Sequence, residues 1–315
     1  MAVLCFEAAA VAVAAGVLHA HGPTTVRRIG VPAAALAVLA TAVPAATATH
    51  GPAAHDHGGP TAAHAAPPGD RMRLDALTAG MTPAQVEEAV AAQARWLADY
   101  LVSTGVEASR AADFSVRALR AVLNAGTGNG GHGHVGPVPN RPITDPTVRT
   151  ALGDQLAAAR AAALALPSVA DAQRAGYVLA APHLLGLGSH WINTRYLADG
   201  VFDPARPEVL LYAGNGPTAR VVGVSYLALD PTAPEGFAGP NDAWHHHDDL
   251  CRVGRIVVPY PDRGACAGVG GEVGGGFAGT RLWMTHAWVV PGWESPWGLF
   301  SGENPELTLA VGRDV

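Results

Sequence analysis

The sequence predicts an α+β protein. One or more hydrophobic N-terminal segments lead into a helical region, which is followed by a mostly antiparallel β-sheet of barrel-like or sandwich-like form. Two observations predict this order. Apolar residues recur at helical spacing up to about residue 176, and after Tyr177 period-two and continuous apolar runs replace that spacing. The chain therefore divides into N-terminal segments (1–48), a linker (49–70), a helical region (71–176) and a β-rich domain (177–315).

The N-terminal part holds two apolar stretches, Met1–Leu18 and Ile29–Ala48, separated by Arg27-Arg28. Each stretch approaches the roughly 20 residues that span a bilayer as a helix. If the second is retained, it anchors the chain in a membrane, and the arginine pair places everything after residue 50 outside. Alternatively, this stretch and its small-residue ending Ala46-Thr47-Ala48 form a cleaved signal peptide. Both interpretations predict an exported protein, either secreted or associated with the cell envelope.

The linker 49–70 scatters histidines among alanine, glycine and proline, a composition that cannot bury a core. It is either a loose metal-scavenging tail or an ordinary tether. The whole chain of 315 residues carries a net charge of −6 and contains no lysine. This charge balance offers no basic footprint, so we expect no nucleic-acid partner.

The helical region carries start and stop signals. Thr82-Pro83 is typical of a helix start, Gly105 ends that helix, and Ser109–Leu123 forms a second one. A third long helical pattern runs from about Pro146 to Gly176 and is interrupted at Pro167.

The β-rich domain contains several strand-like runs. Asn215-Gly216, between the strand-like runs Val209–Tyr212 and Arg220–Leu229, is a hairpin signal. The glycine-dense stretch Gly268–Gly279 predicts a loop. The predicted strands are Val209–Tyr212, Arg220–Leu229, Arg255–Val258 and Leu282–Val290.

Histidines in this domain point to a metal site. In the run Trp244–Cys251, His245 and His247 would share one face of an extended strand, and His246 would point away. His286 falls on the apolar face of its strand, where a buried imidazole needs a partner. His190 follows a loop in the same domain.

The sequence therefore predicts that His190, His245, His247 and His286 bind one divalent transition metal, zinc or copper. Ligating imidazoles usually donate their second N–H to a carboxylate or carbonyl. The candidates for such second-shell partners, which can also serve as ligands or general bases, are Glu208, Asp242, Asp248 and Asp249.

The cysteines Cys251 and Cys266 form an even pair in a domain that we place in an oxidising compartment, so they predict a disulfide. The competing interpretation makes Cys251 a metal thiolate beside the histidines. The third cysteine, Cys5, lies in the first apolar stretch.

Six short motifs between about residues 170 and 306 occur together: Gly-Ser-His-Trp-x-Asn, Arg-Pro-Glu-Val-Leu-Leu-Tyr, Val-Gly-Val-x-Tyr, Trp-His-x-His-x-x-Leu-Cys, His-x-Trp-Val-Val-Pro-Gly and Asn-Pro. Their combination resembles a family of uncharacterised exported bacterial proteins. The resemblance implies no reaction, but it implies that six positions act as one unit. These positions are His190, Glu208, His245, His247, Cys251 and His286.

Three functions are compatible with this pattern. The first is an extracytoplasmic zinc- or copper-binding protein, whose partner is the metal ion and, if the N-terminal segment is uncleaved, the membrane. The second is a metalloenzyme with a three-histidine site, such as a cupin-like oxygenase or a metal-dependent hydrolase. The third is a non-metal interaction module of the cell envelope, in which the histidines are satisfied core groups.

Overall fold

The computed structural model describes residues 75–124, 136–138, 140–247, 250–259, 262–274 and 281–309. The predicted N-terminal segments 1–48, the linker 49–70 and the pair Asp248-Asp249 lie outside these ranges. Within the ranges, no helix has the length and apolar character needed to cross a membrane.

The N-terminal helices of the described part are α1 (Pro83–Ser103) and α2 (Ala108–Asn124), which pack against each other. The predicted start of α1 is confirmed. The Thr82 hydroxyl accepts from the Gln85 backbone, and the Gln85 side chain accepts from the Thr82 N–H at 2.8 Å. This reciprocal box satisfies two N–H groups that a helix start would otherwise leave unpaired.

Two further helices, α3 (Pro146–Ala165) and α4 (Val169–Arg174), fall where the third helical pattern was predicted. Asp145 caps α3, and Ser168 caps α4 in a second reciprocal box. The predicted interruption at Pro167 is confirmed because the chain leaves the helix there and restarts at its new cap.

The described strands and remaining helices are β1 (Val178–Leu184), β2 (Gly188–Ile192), α5 (Thr194–Asp199), β3 (Val209–Tyr212), β4 (Val221–Asp230), β5 (His245–His246), β6 (Leu250–Val253), β7 (Ile256–Pro259), α6 (Arg263–Gly268), β8 (Glu272–Val273), β9 (Arg281–Ala287) and α7 (Pro305–Leu309). Six of these strands form an antiparallel sheet in the order β1-β2-β3-β4-β9-β5. Strands β7-β6-β8 form a small second sheet, and β7 packs against β1.

The predicted α+β class is confirmed for the described residues, and the larger sheet curves into a half-barrel. The hairpin signal gave the right neighbours but the wrong turn. Strands β3 and β4 pair, yet residues 213–220 separate them, and the Asn215 side chain accepts from the His183 N–H at 2.7 Å. Asn215 thus ties the connection to β1 instead of making a two-residue turn.

The larger sheet buries both of its faces. On the face that we call convex, a row of paired residues, one from each of the four strands β2, β3, β4 and β9, packs against α3 and later loops. That row is Trp191, Leu210, Val224 and Ala287. The opposite face, which we call concave, carries Val209, Leu211 and Trp288. Because side chains alternate along a strand, each strand contributes to both cores.

A disulfide joins Cys251 on β6 to Cys266 on α6, with both residues fully buried and their Cα atoms 5.7 Å apart. The predicted pair is confirmed, and the interpretation of Cys251 as a metal thiolate is wrong because its sulfur is bonded. In the chain-entropy model, a 15-residue separation contributes about 3 kcal/mol of stability. Gly271 lies against this bridge, where a Cβ atom would approach the Cys266 sulfur to 2.7 Å.

Candidate metal centre

Curvature of the larger sheet brings His190 and His286 together. His190 lies on β2 and His286 on β9, three strand steps apart, which is roughly 14 Å across a flat sheet at about 4.8 Å per step. Their Nε2 atoms are nevertheless 3.2 Å apart. The two side chains meet because both point from the concave face.

His245 and His247 approach from the edge of the same sheet. Strand β5 pairs with β9, and this places the His245 ring centroid 5.5 Å from that of His286. The His247 ring lies 5.2 Å from the His245 ring, so the alternate residues of the run share one side. The structure thus brings all four sequence-predicted imidazoles into one cluster, which we call the imidazole cluster.

His246 points away from the imidazole cluster. Its ring lies edge-on to Trp283, with 4.8 Å between centroids, and the Arg281 guanidinium lies 3.0 Å from its Nε2. This orientation follows from strand alternation, and it makes His246 a natural control for its neighbours.

Backbone carbonyls fix the tautomer of two cluster rings. His286 Nδ1–H donates to the Gly302 carbonyl at 2.8 Å, and His245 Nδ1–H donates to the Ala243 carbonyl at 3.3 Å. In a neutral imidazole the other nitrogen then carries the lone pair. Both rings therefore present Nε2 as an acceptor, which is how a second-shell partner prepares a metal ligand.

Burial keeps three rings of the cluster, those of His190, His245 and His286, neutral. It lowers the pKa of His190 to about 4 and that of His245 to about 4, because an imidazolium loses its hydration in the apolar interior. Burial and the neighbouring imidazoles His190 and His245 also hold the pKa of His286 well below its usual value. Neutral imidazole is the form that binds transition metals.

The contact between His190 and His286 has two chemical meanings. Because His286 Nε2 is an acceptor, His190 Nε2–H donates to it in the metal-free protein. Two imidazole nitrogens on one tetrahedral zinc, each about 2.0–2.1 Å from it, also lie about 3.3 Å apart. The remaining cluster rings lie side by side, and their nitrogens do not yet point to one position. Among the described residues, no group of three His, Cys, Asp or Glu side chains is arranged to hold a metal ion.

The structure places two of the predicted second-shell carboxylates, Glu208 and Asp242, elsewhere, while Asp248 and Asp249 lie outside the described residues. Glu208 shares the convex face with Leu210, since it is Leu211 that pairs with His190, and its carboxylate accepts from the Leu227 N–H at 3.1 Å. Burial raises the pKa of Glu208 to about 7. Asp242 accepts from the Trp244 indole at 2.9 Å and so orients the chain that leads into β5.

Three buried groups near the cluster were not predicted. His183 on β1 adds to the electrostatic field that lowers the pKa of His190. Ser225 on β4 lies directly across from His286 in the sheet, and no partner among the described residues reaches its buried hydroxyl. Glu303 is 1 % exposed and follows the carbonyl that accepts from His286. His183 could have been predicted from the sequence, because it is a lone histidine in an apolar run, as His286 is. No sequence pattern marks Ser225 as part of the site.

A cavity of about 160 Å³ adjoins the cluster on the concave side. His190 and His247 form part of its wall, and Val257 of the small sheet covers it. Eleven of its thirteen lining residues are apolar. The cluster therefore borders a space that favours apolar contents.

Fold and site together define an α+β protein with a neutral imidazole cluster on the concave face of a half-barrel sheet. No family model, curated protein or solved structure matches the chain. The resemblance to exported bacterial proteins consequently remains a prediction.

Proposed function

We propose that this chain is an extracytoplasmic protein that binds one zinc or copper ion through His190, His245, His247 and His286. The observation that carries the proposal is the 3.2 Å contact between the Nε2 atoms of His190 and His286. The Gly302 carbonyl holds His286 in the tautomer that leaves its Nε2 free of a proton. Imidazole nitrogen is a preferred ligand of both metals. The disulfide supports an oxidising compartment, where such bonds persist.

Binding would replace a proton with an ion. The His190 Nε2–H proton that bridges to His286 would move to His190 Nδ1, so that both Nε2 atoms could turn their lone pairs to the metal. His245 and His247 complete the site by small ring rotations from their present positions beside His286. Such a tautomer shift releases no net proton, so metal binding should release only the protons of histidines that are protonated at the working pH.

The cavity favours a second candidate function, a metalloenzyme. A catalytic zinc site commonly has three protein ligands and one open position, and the His190 and His247 rings border a space into which such a position can face. A cupin-like oxygenase and a metal-dependent hydrolase both fit this description. Metal binding is the part that both candidates share, so it is tested first.

The test is metal titration of the exported, untagged protein by calorimetry, with bound metal counted by elemental analysis. We expect His286→Gln to weaken zinc or copper binding at least tenfold, because it removes a central nitrogen of the cluster. His246→Gln is the matched control, and its affinity should stay within about twofold. Linker histidines are common to all variants, so any weak binding there cancels.

Two results would overturn the proposal. Equal losses in His286→Gln and His246→Gln would place the metal outside the cluster. A protein that is purified without metal, and that takes up neither zinc nor copper, would leave the third function, a non-metal module with satisfied core histidines.

A further inference from the structure

The cavity beside the imidazole cluster is small and has a defined shape. It lies between the concave face of the larger sheet and strands β6 and β7 of the small sheet, and its volume is about 160 Å³. An engineered cavity of about 150 Å³ with an aliphatic lining takes up benzene or xenon. This volume therefore fits a molecule of about one six-membered ring.

The chemistry of the wall excludes several ligand classes. Among the described residues no charged side chain lines the cavity, so a charged ligand would lose its hydration without a partner there. A sugar would bury several hydroxyl groups, and each one left unpaired costs about 1–3 kcal/mol. A largely apolar, uncharged molecule meets neither penalty.

One end of the cavity offers polar groups. His190 and His247 supply imidazole there. Ser225 lies between Val209 and His286 in the sheet register, on the same face as the lining residue Leu227, and its buried hydroxyl has no partner among the described residues. An unpaired hydroxyl in an apolar interior is unfavourable, so a ligand that hydrogen-bonds to it gains affinity.

We propose that this cavity binds the substrate of the metal site, a small uncharged molecule with one apolar ring or branched chain and a single hydrogen-bonding group. The apolar body lies against Leu227, Leu282 and Met284, and the polar group faces the imidazoles of His190 and His247, on the same sheet face as Ser225. The proposal rests on the proposed function, because the metal lies at the polar end. It deepens that function by naming a substrate class.

Phenol and toluene are the probes, since they differ in one hydroxyl group. We expect both to bind the metal-free protein with one-to-one saturation in calorimetry, phenol more tightly. Ala180→Leu fills the cavity and should weaken both at least tenfold. Ala228→Leu, at a half-buried strand alanine outside the cavity, is the matched control and should change binding less than about twofold.

Two further variants keep this test decisive. Leu282→Phe also narrows the cavity and replaces Ala180→Leu if that variant fails to fold. Ser225→Ala should reduce the preference for phenol over toluene. Thr285→Val should preserve it, since that hydroxyl lies on the convex face and also has no partner within the described part of the chain. Non-saturable binding, or equal binding by the filled variant, would overturn the proposal.

A cobalt(II) titration separates this proposal from the proposed function. If cobalt binds, saturating phenol should shift its visible absorption spectrum, and the shift should vanish in Ala180→Leu. A bound cobalt whose spectrum ignores phenol would overturn the substrate site and leave the metal site intact. If phenol binds but neither cobalt, zinc nor copper does, the proposed function fails, and the substrate role fails with it.

Discussion

The two faces of the larger sheet are both buried, but they differ in the polar groups that they bury. On the convex side, tyrosine hydroxyls each donate to a backbone carbonyl: Tyr177 to Pro207, and Tyr226 to Pro204 at 2.9 Å. Aromatic rings fill the remaining space there. On the concave side, imidazoles meet one another and Ser225 has no partner among the described residues.

This difference separates stability from function within one sheet. Packed rings and paired hydroxyls lower the free energy of the fold on the convex side. Incomplete packing and neutral imidazoles on the concave side sacrifice some of that stability. Such exceptions to good packing concentrate at sites that bind ligands.

The largest expected effect comes from truncating one buried leucine on each face of the sheet. Leu210→Ala on the convex face should lower the free energy of unfolding by about 4 kcal/mol, because a fully buried side chain leaves a cavity among packed neighbours. Leu227→Ala on the concave face should lower it by about 2 kcal/mol, since one side of Leu227 already faces open space. Urea unfolding measures both values, and equal losses would contradict the difference between the faces.

A second test concerns Glu208, the buried carboxyl of the convex face. Burial raises its pKa from 4.5 to about 7, so the folded protein favours the protonated form. The stability that this preference contributes is present below pH 4.5 and is lost as the pH rises through 7. Glu208→Gln is always neutral and keeps an acceptor for Leu227. Relative to the wild type, it should gain about 3 kcal/mol between pH 4 and pH 9.

The pH series needs a control because the cluster histidines titrate over part of the same range. Comparing each variant with the wild type at every pH removes their common contribution. Glu88→Gln, at an exposed position on α1, should differ from the wild type by less than about 0.5 kcal/mol throughout. A Glu208→Gln difference that does not change with pH would show that this carboxyl is ionised in the fold.

Local signals predicted the elements of the fold well, since their causes are local. Thr82 caps α1 at the predicted place, and Ser168 caps α4 directly after the predicted interruption at Pro167, because a side-chain oxygen next to free N–H groups suffices. Strands β1 and β2 were missed because a proline and glycines interrupt their apolar run and leave no clear alternation. The placement of β9 between β4 and β5 is a long-range pairing that no short window contains.

In the candidate site, too, features with local causes were predicted from the sequence and features that depend on long-range pairing were not. Alternation alone predicted that His245 and His247 share a side and that His246 does not, which is how the structure places them. Glu208 was predicted as a second-shell partner without knowledge of the register of β2 against β3, and that register puts Leu211 beside His190. The cavity depends on sheet curvature, which is a property of the whole fold.

The prediction with the smallest expected effect compares two buried serine hydroxyls, whose removal should change the free energy of unfolding in opposite directions. Ser225→Ala removes a buried hydroxyl without a partner among the described residues, so in the metal-free protein it should raise the free energy of unfolding by about 1 kcal/mol. Ser301→Ala is its matched partner: that hydroxyl is equally buried but donates to a backbone carbonyl, and its loss should lower stability by about 1 kcal/mol. Opposite signs support a concave face that leaves a polar group for a ligand. If Ser225→Ala destabilises as much as Ser301→Ala, then Ser225 is satisfied within the fold and leaves no polar group for a ligand.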